Sequence, residues 1–330
     1  MKAKVNTIAA VALLLSAQMA AADIVSFDSS VTINTVSVGD AGNAADSTGH
    51  GAVDYEYNIG KFEVTNAQYA AFLNAVAKTD PYGLYNTDMS DSASNHGGIV
   101  RSGSDGNYTY SAVSGRENLP VNLVSLYDAA RFCNWLTTGD TEKGVYNSLN
   151  GQSTSEDMSH FARDSEWVSK GGVFIPNENE WYKAAYYNPS DSSYYQYATS
   201  SNSAPSATLD FAADNAANYA YCSQDLTIVG SYVNSASAYG TYDQNGNVSE
   251  WIESSVGSFA TLRGGSLTDG DSYLSSGETD YNSPENEAEN FGFRVANLNA
   301  VPEPGSCAAL AGVCALAAAA VVRGRKRRIF

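Results

Sequence analysis

No hydrophobic period lasts long in this 330-residue chain, and that limits what it can become. Helical spacing appears in two short stretches. In the first, Thr65 and Gln68 form a capping-box pair ahead of Tyr69, Phe72, Leu73 and Val76, with Pro81 as the expected stop. In the second, Ser125 and Asp128 stand ahead of Ala129, Phe132, Cys133 and Leu136. After Phe174 to Trp181 a short helical stretch is expected through Ala185. Tyr57 to Val64 and Thr227 to Tyr232 read as strands and Leu119 to Val124 as an extended piece. Val31, Ile33, Val36 and Val38 alternate weakly before them. The intervals 82–118, 138–170 and 188–217 are polar insertions rich in Ser, Asp, Asn, Gly and Ala. With 28 Gly and 22 Tyr, the expectation is an irregular, loop-rich body without repeats.

Both ends read as processing signals. Lys2 and Lys4 precede an apolar run from Ile8 to Leu15, and Ala20 and Ala22 stand as in an A-x-A cleavage site before Asp23. Residues 1–22 are therefore expected to be a secretory signal peptide, the work of a signal peptidase. At the other end Val301-Pro302-Glu303-Pro304-Gly305 leads into an apolar run, Cys307 to Val322, then Arg323, Arg325, Lys326, Arg327 and Arg328. The run is slightly short for a full span, and its basic end would stay on the cytoplasmic side. The three parts in this order over 301–330 resemble a PEP-CTERM sorting signal. That resemblance implies transient membrane anchoring by the C-terminal helix and removal by an exosortase-type enzyme; a plain tail anchor is the alternative. Either way the body is expected to be exported, to the cell envelope or the extracellular space.

Without its ends the chain is strongly acidic. Of 18 Lys and Arg, two lie in the leader and five in the tail, leaving 11. Of 36 acids only Glu303 lies there, leaving 35 and a balance of −24. No basic footprint for nucleic acid remains, whereas divalent cations suit such a surface.

The densest cluster of chemistry is Tyr239 to Glu253, Tyr-Gly-Thr-Tyr-Asp-Gln-Asn-Gly-Asn-Val-Ser-Glu-Trp-Ile-Glu, followed by Arg263-Gly264-Gly265-Ser266. Asn245-Gly246 is a turn signal. Asp243 and Glu250 flank it, so two carboxylates and several turn carbonyls could converge on calcium; a surface hairpin with solvated acids is the alternative. The glycine stands at the wrong position for an EF-hand loop. His50, His96 and His160 fall in polar loops without the spacing of a helical zinc pair. Ser266 has no base beside it in sequence. Cys307 and Cys314 belong to the tail. Cys133 reads as a core residue, and whether it meets Cys222 is left open.

Taken in order, several blocks resemble the formylglycine-generating enzyme, or sulfatase-modifying factor, family. They are Ile59-Gly60-Lys61-Phe62-Glu63-Val64-Thr65-Asn66-Ala67-Gln68-Tyr69; Leu119-Pro120-Val121 with Asp128 to Leu136; Ile175 to Trp181; Tyr239-Gly240 with Asn245 to Trp251; Arg263-Gly264-Gly265-Ser266; and Phe291-Gly292-Phe293-Arg294. The resemblance places the domain at 55–298, behind an N-terminal strand and linker at 23–54. It implies a C-type-lectin-like α+β fold, a single domain with structural calcium. The ligands implied are Asp243, Gly246, Val248 and Glu250 for one ion, the two middle residues through backbone oxygens. Asn218 belongs to another site, with Asp225 as its candidate acidic partner. Family oxidases turn a sulfatase cysteine into formylglycine with oxygen, copper and two thiols. The matching positions here are Asp269 and Leu274, neither of which is a soft copper ligand. The cysteine expected to pair with Cys133 is Val295. No catalytic residue is therefore carried over. The expectation is an exported binding or structural module with a glycan or extracellular matrix ligand. The alternative is an oxidoreductase of the formylglycine-generating type acting on protein cysteine in sulfatases.

Overall fold

The computed structural model describes residues 22–94, 96–147, 149, 158 and 161–298. The expected signal peptide up to Ala21, the PEP-CTERM-like segment 301–330 and His160 lie outside the described residues. Four α-helices are described: α1 (Asn66–Val76), α2 (Leu126–Thr138), α3 (Ser165–Ser169) and α4 (Glu178–Tyr186). Eight strands, β1 (Thr35–Val38), β2 (Tyr57–Gly60), β3 (Val173–Phe174), β4 (Ser249–Val256), β5 (Phe259–Arg263), β6 (Asp280–Asn282), β7 (Phe291–Gly292) and β8 (Ala296–Leu298), form two four-stranded sheets. The first runs β1-β2-β8-β3, all antiparallel; the second runs β6-β5-β4-β7, with β7 parallel to β4. The stretch read as strand and linker thus supplies β1, paired with β2 from Val38↔Tyr57 to Thr35↔Gly60.

Local chemistry fixes the helix starts. Thr65 accepts the Gln68 N–H while the Gln68 side chain takes the Thr65 N–H; Ser125 and Asp128 reciprocate in the same way. Asn177 and Glu180 form a third box ahead of α4. Such boxes satisfy N–H groups that a helix leaves orphaned. The apolar faces of α1 and α2 then meet. Phe72 stands edge-on to Phe132 at 5.4 Å, and Phe132 edge-on to Phe293 at 5.5 Å, in a core that also holds Cys133 and Val295. Burying an aromatic side chain of that size contributes about 2–3 kcal/mol.

Several expectations fail in instructive ways. Pro81 does not end α1; the helix stops at Val76, and Asp80, at φ 45°, turns the chain and caps the Leu84 and Tyr85 N–H groups. The insertion 82–118 is not simply a polar loop. It folds a hairpin, Ile99–Ser102 against Thr109–Ala112, whose Ile99 and Tyr110 enter the core. Residues 227–232 form no strand, because their N–H groups go elsewhere: Thr227 to the Asn247 side chain, Val229 to the Asn118 carbonyl, Gly230 to the Asp243 carboxylate.

Candidate functional site

The loop is buried from Gln244 to Glu250, with Asp243 half-buried at its edge, which removes the reading of a surface hairpin with solvated acids; Gln244, Asn245, Asn247 and Glu250 are all nearly inaccessible. Positive φ occurs at Asp243 (60°), Gly246 (83°) and Asn247 (62°). Gly246 is the residue that must lack a Cβ, since one there would drive into the Asn218 carbonyl. Its N–H bonds the Gly264 carbonyl at 3.0 Å, and Leu267 N–H bonds the Asn247 carbonyl at 2.9 Å, so the Asn-Gly-Asn and Arg-Gly-Gly-Ser blocks dock backbone to backbone. The Asn247 side chain ties the loop inward: its Oδ1 accepts the Thr227 N–H at 2.9 Å, and its amide reaches Glu63 and the Thr227 carbonyl at 3.2 Å.

Strand β4 carries Glu250 between β5 and β7, opposite Arg263 and Gly292. Its carboxylate takes three N–H donors: Arg294 Nε and Nη2, both at 2.6 Å, and Trp181 Nε1 at 2.7 Å. Arg294, itself fully buried, also donates to the carbonyls of Gly60 and Tyr242. Asp243 accepts the Gly230 N–H at 2.6 Å. Burial pushes the Asp243 carboxyl up to about 6, against the pull of that N–H and of Arg294. Burial, with Asp243 and Glu250 nearby, raises Glu63 well above its ordinary value. One guanidinium therefore pairs directly with Glu250 and acts at longer range on Glu63 and Asp243. Glu63, Arg294 and Trp181 were not legible as members of this cluster, although each lies in a block that carries the family resemblance.

The cluster fits calcium in charge. With all three acids ionised, one Arg would leave two negative charges uncompensated; the raised Glu63 carboxyl relieves that by holding its proton, and a divalent cation would relieve it instead by its own charge. No three His, Cys, Asp or Glu side chains among the described residues are placed to share an ion. A calcium here would draw on Asp243 and otherwise on backbone oxygens, with Gly246 and Val248 the candidates, because the Glu250 carboxylate is already paired with Arg294 and Trp181. Asn218 is buried below the same loop, its amide 3.0 Å from the Asp225 carbonyl. The Asp225 carboxylate turns instead to Arg116 in a two-pronged ion pair, so it is not free to be the acidic partner of Asn218.

Asp269 and Leu274, the positions that the resemblance matches to the family thiols, are both in use. Asp269 accepts the Ser266 N–H at 2.8 Å and the Ser266 hydroxyl at 2.7 Å, a carboxylate beside Ser266 that sequence adjacency alone did not show. Leu274 is fully buried with Tyr197, Ala217 and Tyr219. A hydroxyl-bound carboxylate and a core leucine do not fit copper(I). Cys133 and Cys222 are both free thiols, Cys133 fully buried and raised well above its ordinary pKa by that burial. His96 Nε2 lies 3.1 Å from the Gln224 carbonyl and Nδ1 3.7 Å from Glu289, while His50 packs on Tyr182 at 5.7 Å; neither joins the Glu250 cluster.

No curated protein sequence matches the chain. Among solved structures the fold is similar to CarF, with 22% identity, a TM-score of 0.54 and coverage of 81% of this chain and 98% of the other. It is similar also to Treponema denticola variable protein 1, with 22% identity, a TM-score of 0.51 and coverage of 82% and 96%. Residues 28–298, most of the chain and both sheets, match the family described as the sulfatase-modifying factor enzyme 1-like domain. On that match, and on a loop-rich α+β body built from the blocks set out above, the chain belongs to the sulfatase-modifying factor (FGE-sulfatase) family.

Proposed function

We propose that this chain is an exported binding or structural module that keeps the family scaffold without the copper and thiol oxidase centre. The observation that carries the reading is the fate of the two thiol positions: Asp269 is spent on Ser266, and Leu274 is a core residue. The reading includes a structural calcium held by Asp243 and neighbouring backbone oxygens such as those of Gly246 and Val248, stiffening the loop while Glu250 stays with Arg294 and Trp181. It includes removal of 1–22 by a signal peptidase, processing of the 301–330 tail by an exosortase-type enzyme, and residence at the cell envelope or beyond. The ligand is an extracellular matrix component, glycan or protein, met by the inserted loops.

The test is a metal analysis of the purified mature protein, followed by incubation with copper and a cysteine-containing sulfatase peptide. The expected outcome is calcium retained, copper absent and no aldehyde by mass. Copper held tightly together with aldehyde formation would restore the oxidoreductase alternative and end this proposal.

A further inference from the structure

The distribution of charge along the chain is lopsided. From Ala184 through Leu298 the only Lys or Arg residues are Arg263 and Arg294. Both are buried; Arg263 is held by Glu178 and by the carbonyls of Ser276 and Glu278. This part of the molecule therefore exposes no cationic side chain, while Asp271, Glu278, Asp280 and Glu285 are exposed. Three tyrosines project from the same region, Tyr221 at 55%, Tyr273 at 48% and Tyr281 at 46% exposure, and the first two share one support.

Both rings are mounted on one segment, Gly265 to Tyr273. Tyr273 closes a short turn through its N–H to the Gly270 carbonyl, and its Cβ packs on the backbone of Gly265. Tyr221 is held from the other side: its N–H bonds the Leu267 carbonyl at 2.7 Å and the Ala220 N–H bonds the Asp269 carbonyl at 2.9 Å. Ala220 and Tyr221 are consecutive left-handed residues, at φ 51° and 56°. Residues with a Cβ adopt that region at a cost, and here the two hydrogen bonds hold them in it. The result is two exposed tyrosines whose backbones are tied to one segment, which carries Asp269 and Asp271. Glu278 and Asp280 line a small hollow with Tyr273.

We propose that this face docks a Lys- or Arg-rich segment of a partner protein. Tyrosine faces attract cations through the ring quadrupole, and the acids around them supply the complementary charge. An anionic partner would meet repulsion without one exposed cation to offset it. The inference rests on the binding-module reading and goes beyond it, placing a cationic protein ligand on a face outside the three insertions.

The experiment uses the full mature protein and a fluorescein-labelled Lys-rich peptide, read by anisotropy, beside a Glu-rich peptide of equal length and a neutral chitooligosaccharide. Binding of the Lys-rich peptide alone is expected, weakening as salt rises through the physiological range. The double variant Y221A/Y273A should lose about tenfold in affinity, and Y221F/Y273F should keep it, because the ring face is retained. D271N/D280N should weaken binding about threefold. Near-UV circular dichroism establishes that each variant is folded. Equal affinity in Y221A/Y273A would overturn the proposal, since unspecific attraction to an acidic protein needs no ring. Tighter binding of the neutral glycan would also overturn it, yet leave the module reading standing; only copper and aldehyde in the same preparation would remove that reading.

Discussion

Replacing Arg294 with Met preserves much of the side-chain volume and deletes the one cation that Glu63, Asp243 and Glu250 share. Glu250 loses two charge-assisted bonds of 2.6 Å, and the carbonyls of Gly60 and Tyr242 lose donors at 2.9 and 2.8 Å. Removing one partner of a buried ion pair costs about 3–5 kcal/mol, and each carbonyl left without its donor about 1 kcal/mol more. The expected loss is therefore about 5 kcal/mol in calcium-free buffer, comparable with the whole stability of a marginal domain. It should depend on pH. Asp243 already has its carboxyl raised from 3.8 to about 6, so its proton is held more tightly in the fold than in the unfolded chain. The stability tied to that proton, about 3 kcal/mol, is present below pH 4 and lost as pH rises through about 6. Without Arg294 the carboxyl moves higher still. R294M should therefore be least damaging near pH 4.5 and most damaging near pH 8, and calcium should recover part of the loss at pH 8. Urea unfolding of both proteins at the two pH values, with chelator and with calcium, reads all of this. A loss under 1 kcal/mol at pH 8, or one independent of pH, would refute the idea that this Arg restrains an over-charged cluster.

Two further outcomes are expected. Gly246→Ala forces a Cβ against the Asn218 carbonyl in a left-handed conformation, and should cost about 3 kcal/mol, seen as a melting temperature lower by about 8 °C in calorimetry. Ellman's reagent should titrate a single thiol, Cys222, in the native mature protein and two after denaturation, because Cys133 is fully buried and Cys222 only partly so.

The parts of this fold that sequence discloses are those made by near neighbours. The capping boxes at Thr65 and Ser125 join residues three apart, so their partners are visible on the page. The same locality exposes Asn245-Gly246 as a turn. What hides is long-range. Glu250 and Arg294 are 44 residues apart, Trp181 and Glu250 are 69 apart, and Asn247 and Glu63 are 184 apart. A strand was expected at Thr227 to Tyr232 because its residue types suit one. Its N–H groups are claimed by Asn247, Asn118 and Asp243, which no local pattern records. Polar composition misled in the insertion 82–118 for a related reason: Ile99 and Tyr110 are enough to seat a hairpin in the core, whatever the Ser and Asp around them.

The pairing of β2 with β8 sets Asn58 beside Asn297. Strand β2 is made early during synthesis, just after its partner β1, and its other edge stays open until almost the last described residue has left the ribosome. A chain emerging N-terminus first, into cytosol or across a membrane, thus carries an open strand edge for nearly the whole of its journey. Shielding by a chaperone, or rapid delivery to the compartment where the two ends can meet, becomes a requirement of this topology, and a chain truncated before Ala296 would retain the hazard permanently.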